Sequence, residues 1–220
     1  MSIYTGPNIV TDSLELYVDA SNTKSYPGTG TTLTDLSSNG VNMELVNGPT
    51  FDSANGGSIL HDGTDDLIRT DVTALSSYND YLTIDCWYKG TKSSRNHLWT
   101  LGSSTNQLNC NFNDGTYELW MYWNGSGNNR VRYNGNFTDG TIKNLVFVHN
   151  VSTNKVFIDG SELSIDESAG TQTFSNIGST GTFNTGSPAF GGNIYSIKIY
   201  RKALSTAEVL QNYRAHRGKF

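Results

Sequence analysis

Apolar and polar positions alternate with period two over short stretches, the pattern of strands with one face buried. Leu14, Leu16 and Val18 fall on one face of such a stretch, with Ser13, Glu15, Tyr17 and Asp19 on the other. Leu82, Ile84, Cys86 and Tyr88 alternate with Thr83, Asp85 and Trp87. Tyr117, Leu119, Met121 and Trp123 alternate with Glu118, Trp120 and Tyr122, so that aromatic rings stand on both faces. Residues 145–149 and 155–159 read as two strands of one hairpin turning over 151–154. In the last long stretch, Ile194, Ser196, Lys198 and Tyr200 alternate with Tyr195, Ile197 and Ile199. Asn-Gly and Asp-Gly punctuate the chain at Asn39-Gly40, Asn47-Gly48, Asn55-Gly56, Asp62-Gly63, Asp114-Gly115, Asn124-Gly125, Asn134-Gly135, Asp139-Gly140 and Asp159-Gly160. These pairs accept positive φ at little cost and mark hairpin turns. Short strands and regular turns predict an all-β, two-sheet antiparallel sandwich or a barrel of about a dozen strands.

One segment breaks the pattern. Ser205-Thr206-Ala207-Glu208 has the spacing of a capping box, with Leu204 and Val209 as its staple. Val209, Leu210 and Tyr213 then form a helical stripe, Arg214, His216 and Arg217 suit the negative end, and Gly218 reads as the terminator. The expected organisation is an N-terminal arm over residues 1–12 and one domain over 13–220, with a short C-terminal helix at about 205–216.

Composition narrows the class. The 220 residues are 16% charged with 23 glycines, which argues against a helical bundle, and an 11% aromatic content argues against disorder. A net charge of −5 and a pI near 5.3 disfavour nucleic acid. Apolar runs fall short of a membrane span, so no membrane insertion is expected, and the start lacks the pattern of a secretory leader, which points to synthesis in a cytoplasm. Cys86 and Cys110 are either two core thiols or one bridge.

Several pieces acquire meaning together. Leu16-Tyr17-Val18-Asp19-Ala20, Ser25-Tyr26-Pro27-Gly28, residues 35–40, Asn47-Gly48-Pro49-Thr50-Phe51, residues 61–68, residues 82–89, Val156-Phe157-Ile158-Asp159-Gly160 and residues 192–205 occur in that order. The set resembles the laminin-G-like branch of the concanavalin A-like lectin/glucanase superfamily, from about Leu14 to the C-terminus. With the Gln211-Asn212-Tyr213 helix, it is most similar in flavour to structural proteins of tailed bacteriophages. The resemblance implies a two-sheet jelly roll whose members bind glycans or proteins, sometimes hydrolyse glycans and often hold calcium.

Hydrolases of that superfamily carry Glu-x-Asp-x-x-Glu on one strand, which sets an acid and a nucleophile on the same cleft. That spacing is absent here. Glu118 is alone on its strand, and Glu162, Asp166 and Glu167 have the wrong period around a predicted turn. His61, His97, His149 and His216 are scattered without a nucleophile elbow, and Gly102, Gly125 and Gly127 open no helix. The expectation is a protein that is not an enzyme.

Three groups of binding residues remain. Asp62 and Asp65, with Asp19 brought near by the family's fold, are either ligands of a structural Ca²⁺ or ordinary turn carboxylates. Metal-holding members carry an acid after the Ile of their Gly-x-Ile motif; this chain has Tyr195 there. For sugar, either Trp120 and Tyr122 or Tyr117 and Trp123 form an outer ring pair, bordered by Arg130, Arg132 and Tyr133. The alternative is that both sets are core, as Trp87 and Trp99 are expected to be. Arg201, Lys202, Arg214, Arg217 and Lys219, with Lys198, make a late basic bias suited to docking on an acidic neighbour.

The resulting expectation is a non-catalytic virion structural protein, either a capsid decoration or tail- and fibre-associated. It sits on the virion surface, docks on other subunits, self-associates through its arm and weakly binds host glycans. The alternative is a receptor-binding adhesin for bacterial surface polysaccharide.

Overall fold

Alternation and turn chemistry produce strands almost throughout. The computed structural model describes residues 6–71, 80–91, 96–103, 106–113, 118–123, 126–170, 173–174, 182–185 and 190–220. In chain order the strands are β1 (Leu14–Asp19), β2 (Thr32–Leu33), β3 (Met43–Val46), β4 (Thr50–Asp52), β5 (Ser58–Asp62) and β6 (Leu67–Asp71). Then come β7 (Tyr81–Gly90), β8 (Asn96–Ser103), β9 (Asn106–Asn113), β10 (Glu118–Trp123), β11 (Ser126–Asn134) and β12 (Lys143–Asn150). The last are β13 (Thr153–Ile158), β14 (Ser161–Glu162), β15 (Glu167–Ala169), β16 (Thr182–Thr185) and β17 (Gly191–Tyr200), followed by α1 (Thr206–His216). The turns at Asp114-Gly115 and Asn124-Gly125 lie outside the described residues.

Two antiparallel sheets result. The first runs β14-β13-β12-β7-β17-β5-β4, with β1 also on β17; the second runs β15-β11-β10-β9-β8-β16-β6-β3-β2. Their facing sides share one core that includes Leu16, Ile84, Tyr88, Trp99, Cys110, Met121, Trp123 and Phe147. This is the all-β architecture that alternation predicts as a sandwich or barrel and the resemblance as a jelly roll, with the short C-terminal helix that the capping box predicts. Cys86 and Cys110 are both free and buried, so the bridge is excluded, and burial pushes both thiols well above their usual pKa.

Pairing register shifts at several places among the described strands, and the shift in β17 redirects the most core residues. β17 pairs with β7 through Ile194 opposite Tyr88 and then Ser196 opposite Trp87, so Tyr195 is an extra residue. A bulge of this kind returns the next residues to the other face. Hence Ile194, Ile197 and Ile199 all reach the core, although the sequence pattern sets Ile194 with Ser196 and Lys198. At the same point the other edge of β17 changes partner, from β5 (through Ile194) to β1 (from Ser196). Gly192, just before the bulge, has φ +137, and a Cβ there would lie 2.0 Å from the Lys89 carbonyl oxygen. Only glycine fits that approach.

α1 covers the outer face of the first sheet. Ser205 Oγ accepts from Glu208 N (3.3 Å) while Glu208 Oε2 accepts from Ser205 N (2.8 Å), completing the expected capping box. Val209 and Leu204 pack on Val146, Val148, Phe157 and Tyr200. The helix ends with Arg217 as a right-handed cap, so Gly218 is not its terminator. The described part of the segment before β1 packs on this helix. Val10 is buried in this second cluster, its N–H donates to Asn212 Oδ1 (2.9 Å), and Gln211 Nε2 donates to the Asn8 carbonyl (2.8 Å). Residues 8–10 are held by the domain's own helix.

Candidate functional site

The outer face of the second sheet carries the most concentrated chemistry. On β10, Leu119, Met121 and Trp123 are fully buried, and Glu118, Trp120 and Tyr122 alternate outward, half-buried. The rings of Trp120 and Tyr122 stack, with centroids 5.5 Å apart and planes 4° from parallel. Register sets Arg132 opposite Trp120 and Arg130 opposite Tyr122 on β11. Both guanidiniums approach the Trp120 ring, at 5.2 Å for Arg130 and 5.5 Å for Arg132, within cation–π range.

Carboxylates lock this stack. Trp120 Nε1 donates to Glu118 Oε2 (2.8 Å), and Arg132 Nη1 donates to Glu118 Oε1 (3.1 Å). Arg132 also lies 3.5 Å from Glu167, and Arg130 Nε donates to the same Glu167 at 3.0 Å. On the other side of β10, Asn111 stands opposite Trp120 and Asn109 opposite Tyr122. Asn109 Oδ1 accepts from Thr100 Oγ1 (2.8 Å), which extends the polar row onto β8. The result is a rigid aromatic pair framed by guanidinium, carboxylate and amide groups, the mixture that stacks on sugar rings and hydrogen-bonds their hydroxyls.

The structure divides the candidate sugar-binding residues between the two faces of the sheet. Trp120, Tyr122, Arg130 and Arg132 share one outward face. Trp123 and Tyr133 are on the inner side, 0% and 1% exposed, with Trp123 packed on Phe174, and neither can meet a ligand on that face. Tyr117 lies outside the described residues. Glu118, Glu167, Asn109 and Asn111 were not read as part of this surface. The signal for the asparagines is their alternation with Leu108, Cys110 and Phe112. Trp87 and Trp99 are buried, as expected.

A family model described as "Concanavalin A-like lectin/glucanases superfamily" matches residues 62–210, which is more than half of the chain. The chain belongs to this superfamily. No curated protein matches it by sequence. Among solved structures, Trypanosoma rangeli sialidase in complex with 2,3-difluorosialic acid is similar over 96% of this chain and 34% of its own, with 13% identity and TM-score 0.70. The ligand-binding domain of botulinum neurotoxin serotype D, in complex with N-acetylneuraminic acid, is similar over 93% of this chain and 51% of its own, with 11% identity and TM-score 0.70. The receptor-binding domain of the botulinum neurotoxin C/D mosaic serotype matches over the same shares at 12% identity and TM-score 0.66. The chain thus spans about a third to a half of the length of these proteins, and the likeness establishes a lectin-like fold.

Superfamily members often hold calcium, and the acidic turn tests that implication. Oxygens of Asp62, Asp65 and Asp66 lie within 4.8 Å of one another. Asp66 Oδ2 accepts from Asp62 N (2.9 Å), and Asp62 Oδ1 accepts from Thr64 N (2.7 Å). Burial, and then the charges of Asp62 and Asp65, raise the pKa of Asp66. Three hard oxygen donors in one turn fit Ca²⁺. Asp19 does not belong to this group. It is fully buried at the end of β1, where it accepts from Tyr17 OH (2.8 Å) and Ser21 Oγ (2.7 Å) and pairs with Lys219. Asp66 takes the place the sequence reading assigned to Asp19.

The basic docking set is largely neutralised within the domain. Arg201 pairs with Glu15 (3.4 Å), Lys202 with Asp12 (2.8 Å) and Glu208 (2.7 Å), and Lys219 with Asp19. Lys198 is fully buried against Asp85. Of the five proposed docking cations, Arg201, Arg214 and Arg217 are exposed, the last two at the end of α1.

Proposed function

We propose that this domain is a non-catalytic glycan-binding module. The observation that carries the reading is the outward, half-buried Trp120–Tyr122 stack, fixed by Glu118 and framed by Arg130, Arg132 and Asn111 on the outer face of a lectin-like sheet. Two structural neighbours, the sialidase and the serotype D toxin domain, were solved with sialic acid or a derivative, which supports sugar as the ligand class. Glu118 and Glu167 are each engaged by arginine, so they act as struts and not as a free acid and nucleophile. A structural Ca²⁺ held by Asp62, Asp65 and Asp66 belongs to the same reading.

The module's setting is the surface of a bacteriophage virion, a reading supported by the sequence resemblance to tailed-phage structural proteins. Because most of the docking cations are paired internally, the adhesin role, contact with polysaccharide through the ring face, is favoured over subunit docking through the helix end. The test is a glycan array read with wild type and Trp120→Ala. Retained fold with lost binding supports the site, and unchanged binding by the variant eliminates it. Antibody labelling of intact particles tests the virion setting.

A further inference from the structure

We infer that the ligand of this face is a neutral saccharide, recognised through hydroxyls, and not the sialic acid seen with the structural neighbours. The inference rests on the glycan-binding reading above and deepens it.

The charges on the face disfavour an anionic ligand. Among the described residues, the cations on the second sheet's strands are Arg69, Arg130 and Arg132, and each lies within ion-pair distance of a carboxylate: Arg69 of Glu44 (3.4 Å), Arg130 of Glu167, and Arg132 of Glu118 and Glu167. Asp166 adds a third carboxylate beside the two arginines of the ring site: its N–H donates to the Arg132 carbonyl (3.0 Å) and its side chain accepts from Asn134 N. Among the described residues, the charges around the rings are thus Glu118, Glu167 and Asp166 against Arg130 and Arg132. A carboxylated sugar would have to break an existing pair or lie beside an uncompensated carboxylate, and like charges brought together at a binding site weaken it. The protein's net charge of −5 repels acidic polymers at longer range as well.

Unmet hydrogen-bonding groups beside the ring point the same way. Asn111 is 2% exposed, and its Oδ1 is a buried acceptor without a partner; the Nε of Arg132 is a buried donor without one. These residues stand directly opposite Trp120 on the two flanking strands. The ring is therefore bracketed by one unmet acceptor and one unmet donor, two strand spacings (about 10 Å) apart. Buried polar atoms left unpaired are destabilising, so a ligand that pairs them gains affinity. A hydroxyl is both donor and acceptor and can serve either atom. A carboxylate only accepts, so it can serve Arg132 alone and would repel Asn111 Oδ1.

The test is titration calorimetry of the full chain at pH 7 with neutral hexose oligosaccharides and with size-matched sialylated and uronic-acid oligosaccharides, in low and high salt. Neutral ligands are expected to bind and acidic ones to bind about tenfold more weakly, with the gap narrowing in high salt, where surface charges are screened. Trp120→Ala should lose the neutral ligands. Glu118→Gln with Glu167→Gln, checked for native circular dichroism, should shift preference toward acidic ligands. Tighter binding of acidic than neutral ligands by wild type, abolished by Trp120→Ala, overturns this inference and leaves the glycan reading standing. Binding of neither class overturns the glycan reading itself, and this inference with it. Neutral binding that survives Trp120→Ala overturns the placement of the site.

Discussion

Lys198 and Asp85 face each other on neighbouring strands of the first sheet with both side chains fully buried, Nζ to Oδ2 3.4 Å. The pair lies under α1, where Asn144 Nδ2 (2.7 Å) and Asn212 Nδ2 (3.2 Å) also donate to Asp85, and the Lys198 ammonium lies 5.4 Å from the Tyr17 ring centroid. Removing one partner of a buried pair strands the other charge, which costs about 3–5 kcal/mol. Lys198→Met should therefore lower stability by that order in urea denaturation, and adding Asp85→Asn should recover part of it. A single variant as stable as wild type would show that the charge is relieved some other way.

Two buried histidines make the fold sensitive to acid. Burial, and then the charges of Lys198 and Lys219, push His216 down to about 2; burial pushes His61 down to about 4. In the unfolded chain both titrate near 6.5. Below that value the unfolded state binds protons that the folded state refuses, so stability is complete above about pH 6.5 and falls as pH drops, to about 4 for His61 and further for His216. Each histidine contributes a slope of about 1.4 kcal/mol per pH unit. Between pH 6.5 and 4.5, before most carboxylates titrate, the urea midpoint of wild type should fall steadily. That of His61→Asn with His216→Asn should be flatter. A wild-type midpoint constant across this window would refute the buried neutral histidines.

How far the sequence reaches depends on whether a feature is local. The strands, the hairpin over residues 145–158 and the Ser205–Glu208 box are written in neighbouring residues, and their positions are readable. Which face of β10 points inward is not, because both faces carry aromatics; Leu108, Cys110 and Phe112 on β9 and Val131 on β11 decide it. The bulge at Tyr195 has no turn residue to announce it. Thr83, Asp85 and Trp87 look like a solvent face until α1 and the chain end, from far along the sequence, cover them; Tyr213 stacks on Trp87 at 5.7 Å, 2° from parallel. The basic bias near the C-terminus looked free because Glu15 and Asp12, its partners, are nearly 200 residues away.

Calcium should act on the acidic turn. The raised pKa of Asp66 reflects burial and repulsion among three carboxylates, and a shared cation relieves that repulsion. A ligand binding only the folded state stabilises it by about 2.7 kcal/mol at a hundred times its dissociation constant. Melting in millimolar calcium should then occur at a higher temperature than in chelator, and Asp65→Asn should erase the difference. Identical melts for wild type in the two buffers would remove calcium from the description.

Trp120 and Trp123, three residues apart on one strand, should behave oppositely. Trp123 is fully buried between the sheets, and truncating a large core ring leaves a cavity worth about 3–5 kcal/mol. Trp120 loses on truncation a stacking partner, two guanidinium contacts and its bond to Glu118, all at a half-exposed surface, which amounts to about 1 kcal/mol. Urea titrations of Trp123→Ala and Trp120→Ala should separate by that margin, while sugar binding is lost in Trp120→Ala with its fold intact. If Trp120→Ala unfolds as readily as Trp123→Ala, the outer rings belong to a structural layer, and the open face has been assigned to the wrong side of the sheet.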